Sequence, residues 1–306
     1  MKRYAILALL LAGCQSPLEE FRGAAPSSQV VALNIPAGAS ASTASSVKDG
    51  ATPELLGQRA TFFEITRGVT AIVNGGVGVT LLLLEAITDQ QPTTLTADHA
   101  TWGPYTGALD VNTWKFDVSK TGPIDYSYVL SGKPRGADDS AYKAIIAGKA
   151  HVISRVVGSG DFLFDFTALA SLGGGKAQGG IAVHYDNTGS PRVVEVAFKD
   201  FADGNGNYTP NSALYKYAEN GDHSGSFEFV TKADVDHDPL RDQETVAIKS
   251  EWLGTGQGKS NASATGGSLA ADATLEECWN NGFQRTYFTD SWNPSETEGD
   301  PASCKP

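Results

Sequence analysis

Trp114-Lys115-Phe116-Asp117-Val118-Ser119-Lys120-Thr121-Gly122-Pro123-Ile124-Asp125-Tyr126-Ser127-Tyr128-Val129-Leu130 is the stretch that decides the fold class. Large apolar residues fall on every second position of each half, the period that puts them on one face of a strand. Gly122-Pro123 supplies turn chemistry between the halves, so the stretch predicts a hairpin with one buried face. Toward the C-terminus the period returns at Phe162, Phe164, Phe166 and Ala168, at Ile181, Val183 and Tyr185, and at Val194, Val196 and Phe198. Asn187-Thr188-Gly189 punctuates the last pair, and Tyr215 with Tyr217, Phe227 with Phe229, and Val246 and Ile248 with Trp252 extend the series. About ten short strands at this spacing predict an antiparallel meander, sandwich or barrel.

Toward the N-terminus the period becomes helical. Thr52-Pro53-Glu54 combines a capping hydroxyl, a proline at the first position and an acid in the first turn. Phe62, Ile65, Val69, Ile72 and Val73 then share a face until Asn74-Gly75-Gly76, a stop signal. Val77 to Ile87, with Leu81 to Leu84 at its centre, predicts a second helix buried on most sides. The expected class is α+β, mostly β: a curved antiparallel sheet or partly open barrel of about ten strands covered by two N-terminal helices. In outline, from Thr52 to Cys304, this is similar to the half-barrel of periplasmic lipoprotein carriers and mycobacterial lipid-binding lipoproteins. That likeness implies an apolar cavity between sheet and helices but transfers no motif. Trp114, Phe116, Tyr126, Tyr128, Phe162, Phe164 and Phe166 would share the concave face, as packed core or as the wall of a ligand cavity. The hydroxyls of Tyr126 and Tyr128 call for partners or water.

The chain opens Met1-Lys2-Arg3, then runs apolar from Ala5 to Ala12 and reaches Gly13-Cys14. Two cations, a short apolar core and small residues at the exit have the layout of a secretory signal peptide. The run is far short of the roughly 20 apolar residues that cross a bilayer. Leu11-Ala12-Gly13-Cys14 resembles the lipobox of bacterial lipoproteins. The resemblance implies cleavage before Cys14, acylation of its thiol, and a location on the periplasmic or cell-surface side of a bacterial envelope membrane. Gln15, by similarity to the enterobacterial sorting rule, favours the outer membrane. Residues 1–13 are then a signal peptide, 14–51 a lipidated flexible tether rich in Ser, Ala, Gly and Pro, and 52–306 a single β-rich domain.

The formal charge is −12, and removing the leader with Lys2 and Arg3 takes it to −14. Such a surface repels phosphate backbones, which argues against nucleic acid and against attraction to anionic lipid other than through the anchor. Beyond Cys14 two cysteines remain, Cys278 and Cys304, and in an oxidising compartment their simplest reading is a disulfide that pins the tail.

Two acidic loops are the candidates for a cation. Asp200, Asp203, Asn205 and Asn207 lie in one, and Asp234, Asp236, Asp238, Asp242 and Glu244 in the other. Closely spaced oxygen-bearing residues on a tight turn suit calcium, although the same residues make ordinary solvated turns. A hairpin of Leu214 to Ala218 with Ser226 to Thr231 would bring both loops to one end. Asp203 to Tyr208 begins like an EF-hand loop but has Tyr208 where glycine is required and Leu214 where an acid is required. No other cofactor is called for. Gly254 to Ser260 has the composition of a phosphate loop with the wrong glycine spacing, and reads as a hairpin turn, so no nucleotide is expected. His99, His151, His184, His223 and His237 are scattered, and no Gly-x-Ser-x-Gly elbow accompanies them. The expectation is a membrane-anchored, non-enzymatic lipoprotein that binds an apolar or lipid-like ligand or a partner protein. The alternative is an envelope structural module, calcium-stabilised or not, without a cavity. A hydrolase would need a histidine beside an acid and a nucleophile in a cleft.

Overall fold

The computed structural model describes residues 17–36, 56–154, 156–202, 211–236 and 242–305. Cys14, the lipobox and the Thr52-Pro53-Glu54 helix start lie outside them. Fifteen strands pair strictly in sequence order as one antiparallel meander: β1 (Thr94–Leu95), β2 (His99–Tyr105), β3 (Asn112–Lys120), β4 (Asp125–Pro134), β5 (Lys143–Ser154), β6 (Val157–Asp165), β7 (Gln178–Asp186), β8 (Arg192–Ala202), β9 (Asn211–Glu219), β10 (Gly225–Ala233), β11 (Glu244–Trp252), β12 (Gly258–Thr265), β13 (Ala273–Trp279), β14 (Arg285–Asp290) and β15 (Glu298–Gly299). The sheet does not close, because β1 and β15 end the order without pairing with each other. The mostly-β antiparallel expectation therefore holds, with fifteen strands where about ten were expected. The small, polar, strand-like stretch Ser260 to Thr265 forms most of β12, and in β13 the inward positions Ala273, Leu275, Glu277 and Trp279 mix a charge with apolar residues.

Alternation puts one row per register position on the inner face. One row runs Val118, Tyr128, Gly148, Phe162, Val183, Val196, Tyr215, Phe229, Ile248 across β3 to β11. Bulk is distributed along these rows by glycines. A Cβ on Gly148 would collide with the Tyr128 ring, one on Gly160 would lie 2.6 Å from Tyr185 Oη, and one on Gly258 would lie 2.6 Å from Trp279 Cζ2. Each ring lies over the bare backbone of the next strand, which keeps neighbouring rows from overpacking.

The cover differs from the expected pair of helices. A single helix, α3 (Thr61–Thr88), runs through Asn74-Gly75-Gly76. The stop signal is overridden by tertiary contact: Asn74 Oδ1 accepts from Leu33 N at 2.8 Å and its Nδ2 donates to Leu33 O at 2.9 Å. Two helix glycines cost only about 1 kcal/mol each, which packing readily exceeds. The deepest stripe is Phe63, Thr66, Thr70, Val73, Leu81, Leu84 and Thr88, one residue round from the expected face, with Phe62, Ile65 and Val69 half-buried beside it. Threonines are tolerated there because Thr70 Oγ1 bonds Thr66 O and Thr66 Oγ1 lies 2.6 Å from Ser250 Oγ. Leu81 and Leu84 are buried while Leu82 is 58% exposed, so the run is not buried on every side. None of the described helices is long and apolar enough to cross a membrane.

Part of the expected tether also folds. Pro17–Ala24 forms α1 and Ser28–Val31 forms α2, and Phe21, Ala24, Val30, Val31 and Leu33 are buried in the main core. A low local density of apolar residues concealed this, since these few fit a cover that the sheet already needs. Lys120 Nζ donates to Glu20 Oε2 at 2.8 Å, which fastens α1 to β3. Phe166 leaves its expected strand. Asp165 accepts from Ala168 N at 2.8 Å and caps α4 (Phe166–Ser171), ending β6 one residue earlier. At the C-terminus Cys278 and Cys304 are disulfide-bonded, Cα atoms 5.2 Å apart, as expected.

Candidate functional site

Among the described residues the inner face packs against the helices. Phe116, Tyr126, Tyr128, Phe162 and Phe164 form one buried cluster with Phe21, Val31, Val73, Leu81 and Leu84 from the helices, and Trp114 and Phe166 pack against its margin. Tyr126 Oη bonds Glu20 Oε2 at 3.3 Å. Tyr128 Oη is buried with no hydrogen-bond partner, and burial drives its pKa far up. These rings touch one another and described side chains of the helices.

Of the acidic loops, Asp203, Asn205, Asn207 and Asp238 lie outside the described residues. Asp200 is exposed at a bulge of β8 with φ 49°, and its N donates to Ser212 Oγ at 3.3 Å. Asp242 is exposed. Asp234, Asp236 and Glu244 bring carboxylate oxygens within 4.8 Å of one another where β10 turns into β11. Glu244 accepts from Val235 N at 2.9 Å and Ser268 N at 3.2 Å, and Ser268 Oγ donates to Asp236 at 3.1 Å. These bonds tie the described end of β10 and the start of β11 to Ser268. The hairpin β9–β10 forms as expected, so β8 and β10 end on the same side of the sheet.

Four histidines meet carboxylates or hydroxyls on the outer face or its turns. His151 Nδ1 is 2.7 Å from Asp125, His184 Nδ1 is 2.8 Å from Asp161, and His223 Nδ1 is 3.1 Å from Glu219. His99 lies 3.0 Å from Ser119 Oγ and 2.8 Å from Thr101 Oγ1, which donates to Asp117 at 2.9 Å. This is the one described grouping of histidine, hydroxyl and acid in mutual contact around a serine, and it lies on open strand surface, in neither outer-face groove.

The outer face carries the arrangement that sequence reasoning missed. On seven successive strands one charged or titratable residue stands two positions from one apolar residue. The pairs are Ala147 with Lys149, Asp161 with Leu163, Ala182 with His184, Glu195 with Ala197, Leu214 with Lys216, Glu228 with Val230, and Ala247 with Lys249. Register aligns them into two parallel rows across β5 to β11. In the charged row, lysine or histidine on odd-numbered strands faces aspartate or glutamate on even-numbered ones. Opposite charges on adjacent strands stabilise by about 0.2–1 kcal/mol per pair and penalise register slips. That role accounts for the charges and leaves the apolar row unexplained. Leu163 is 51% exposed and Leu214 36% exposed. Between them, over the small residues Ala182 and Ala197, lies a groove of about 700 Å³ with Lys149, Asp161, His184 and Glu195 along one wall.

Comparison with known proteins gives no match. No family model, no curated protein and no solved structure resembles the chain.

Proposed function

We propose that the chain is a non-enzymatic, lipid-anchored envelope protein that binds a partner protein through the outer face of its sheet. The observation that carries this reading is the groove over Ala182 and Ala197, an apolar row left in solvent beside an ordered row of charges. A buried apolar centre flanked by polar residues is the anatomy of a protein interface. The packing of the described inner-face rings against the helices supports the outer face over a cavity between helices and sheet as the place where a ligand sits. Cys14 would supply the membrane attachment, with the outer membrane favoured by Gln15, and the reading calls for no metal or organic cofactor.

The test is a benzoylphenylalanine photo-cross-linker at Leu163 in intact cells, with a second at the exposed inner-cover residue Leu82. Irradiation is expected to give a discrete protein adduct from position 163 only. A lipid-sized adduct, or none, at position 163 would overturn the reading.

A further inference from the structure

Resting on that reading, we infer that the partner is a second copy of this chain, packed face to face about a two-fold axis parallel to the strands, with β8 of one copy over β9 of the other. Rotation about the strand direction maps each outer-face row onto itself in reverse strand order. The whole interface is then fixed by which strand faces which. With β8 over β9, β7 lies over β10 and β6 over β11.

In that register the charged or titratable residues of β6 to β11 all find complements, and Lys149 on β5 meets the uncharged Asn261. Glu195 meets Lys216 of the second copy, His184 meets Glu228, and Asp161 meets Lys249, each contact occurring twice by symmetry. The apolar row interlocks in the same register. Leu214 of one copy stands over Ala197 of the other, Val230 over Ala182, and Leu163 over Ala247, a large residue against a small one at each point. The groove between Leu163 and Leu214 is thereby filled by the second copy's Leu214 and Val230.

Neighbouring registers fail. A slip of one strand either way sets Glu195 against Glu228 or Lys149 against Lys249, and like charges held together are strongly disfavoured. A slip of two strands one way sets Leu163 on Leu214 and Ala182 on Ala197, large on large and small on small. Two strands the other way sets Asp161 against Glu276 and Ala197 against Ala247. Of these five registers one alone satisfies both rows.

Two further features agree. The handed twist of a sheet is unchanged by rotation about its strands, so two copies of one twisted face nest, as aligned sheet packings do. The same rotation leaves Pro17 of both copies at the same end, as two chains anchored in one membrane require.

Cysteines at Ala182 and Val230 test the geometry. Within one chain the two positions are three strands apart, about 14 Å. Across the proposed axis they face each other. Facing positions of stacked sheets lie about 10 Å apart. A short bifunctional methanethiosulfonate added to A182C/V230C in native membranes is therefore expected to give a covalent dimer of twice the chain mass. A182C alone and V230C alone, each three strands from its own copy across the axis, are expected to stay monomeric. The charge row gives a second readout in the mature chain purified in detergent. Lys249→Asp is expected to weaken dimerisation at least ~tenfold by like-charge contact with Asp161, and Asp161→Lys with Lys249→Asp to restore it. A monomer in A182C/V230C, or a dimer unaffected by Lys249→Asp, overturns the inference. If the Leu163 photo-adduct then has a mass other than twice that of the chain, the partner reading survives without self-pairing; if it carries no protein, both fall.

Discussion

The Glu277 carboxylate on β13 accepts a hydrogen bond from the backbone N of Phe62 at 2.6 Å, across 215 residues of sequence. Its other oxygen accepts from Thr61 N at 2.8 Å and from Arg285 Nε at 2.6 Å. The residue before α3, Ala60, has no side chain to cap it, so the sheet supplies the acceptor that satisfies the helix's first free amides. A negative charge here also faces the positive end of the helix dipole. Burial pushes the Glu277 carboxyl up, against the pull of Arg285 and the two amides.

Removing this carboxylate strands Arg285, which is almost fully buried. Glu277→Ala is expected to lower the unfolding free energy by about 3–5 kcal/mol in a urea titration. Glu277→Leu with Arg285→Met should cost less than Glu277→Ala alone, because no buried charge is left uncompensated. A double variant as unstable as the single one would contradict this account of the pair.

Gly258 shows the same logic in the apolar core. An added methyl there would lie 2.6 Å from Trp279 Cζ2 and also meet the Glu251 carbonyl. Gly258→Ala is expected to destabilise by about 1–3 kcal/mol. Gly189→Ala has open space around its Cβ and is the matched control. Equal melting temperatures for the two variants would rule out ring-over-glycine packing at β12.

The attachment of α1 should depend on pH at both extremes. The hydrogen bond from Lys120 holds Glu20 below its ordinary value of 4.5, against a smaller desolvation effect. A depressed acid stabilises the folded state above its unfolded pKa and loses that contribution as pH falls through the folded value. Lys120 is raised above 10.5, first by its bond to Glu20, so its contribution is complete below 10.5 and is lost as pH rises through the folded value. Amide exchange in Pro17–Ala24, corrected for intrinsic rates, is expected to accelerate relative to strands β4 and β5 as pH falls below 4.5 toward the folded Glu20 value and as it rises above 10.5 toward the folded Lys120 value. A flat profile between those limits and beyond them would remove the ion pair as the clasp.

Cys14→Ser is expected to move the chain from the membrane fraction to the soluble envelope fraction, read by fractionation and blotting. Unchanged fractionation would end the lipid-anchor reading.

What the sequence disclosed, and what it hid, follows from the periods involved. The inner face was legible because rings at Trp114, Phe116, Tyr126 and Tyr128 repeat at two-residue intervals, and burial requires just that repeat. Strand β13 was harder to read because its inward position Glu277 breaks the apolar alternation of Ala273, Leu275 and Trp279. Asn74-Gly75-Gly76 misled because local stop signals carry about 1 kcal/mol per residue while the helix gains its stability from packing on distant strands. The outer rows were present in plain sight as charged-x-apolar pairs, from Ala147-x-Lys149 to Ala247-x-Lys249. Their meaning depends on registers that no single strand specifies. The sign alternation becomes visible only when every second strand is read backwards, as antiparallel pairing dictates.

The most direct test of the account is hydroxyl-radical footprinting of Leu163, Leu214 and Val230 in native membranes against the same chain diluted in detergent to well below micromolar concentration. Protection of all three in the membrane, with Leu82 and Trp292 labelled equally in both, is the result the account predicts. Equal labelling of the three outer-face residues in both samples would contradict it.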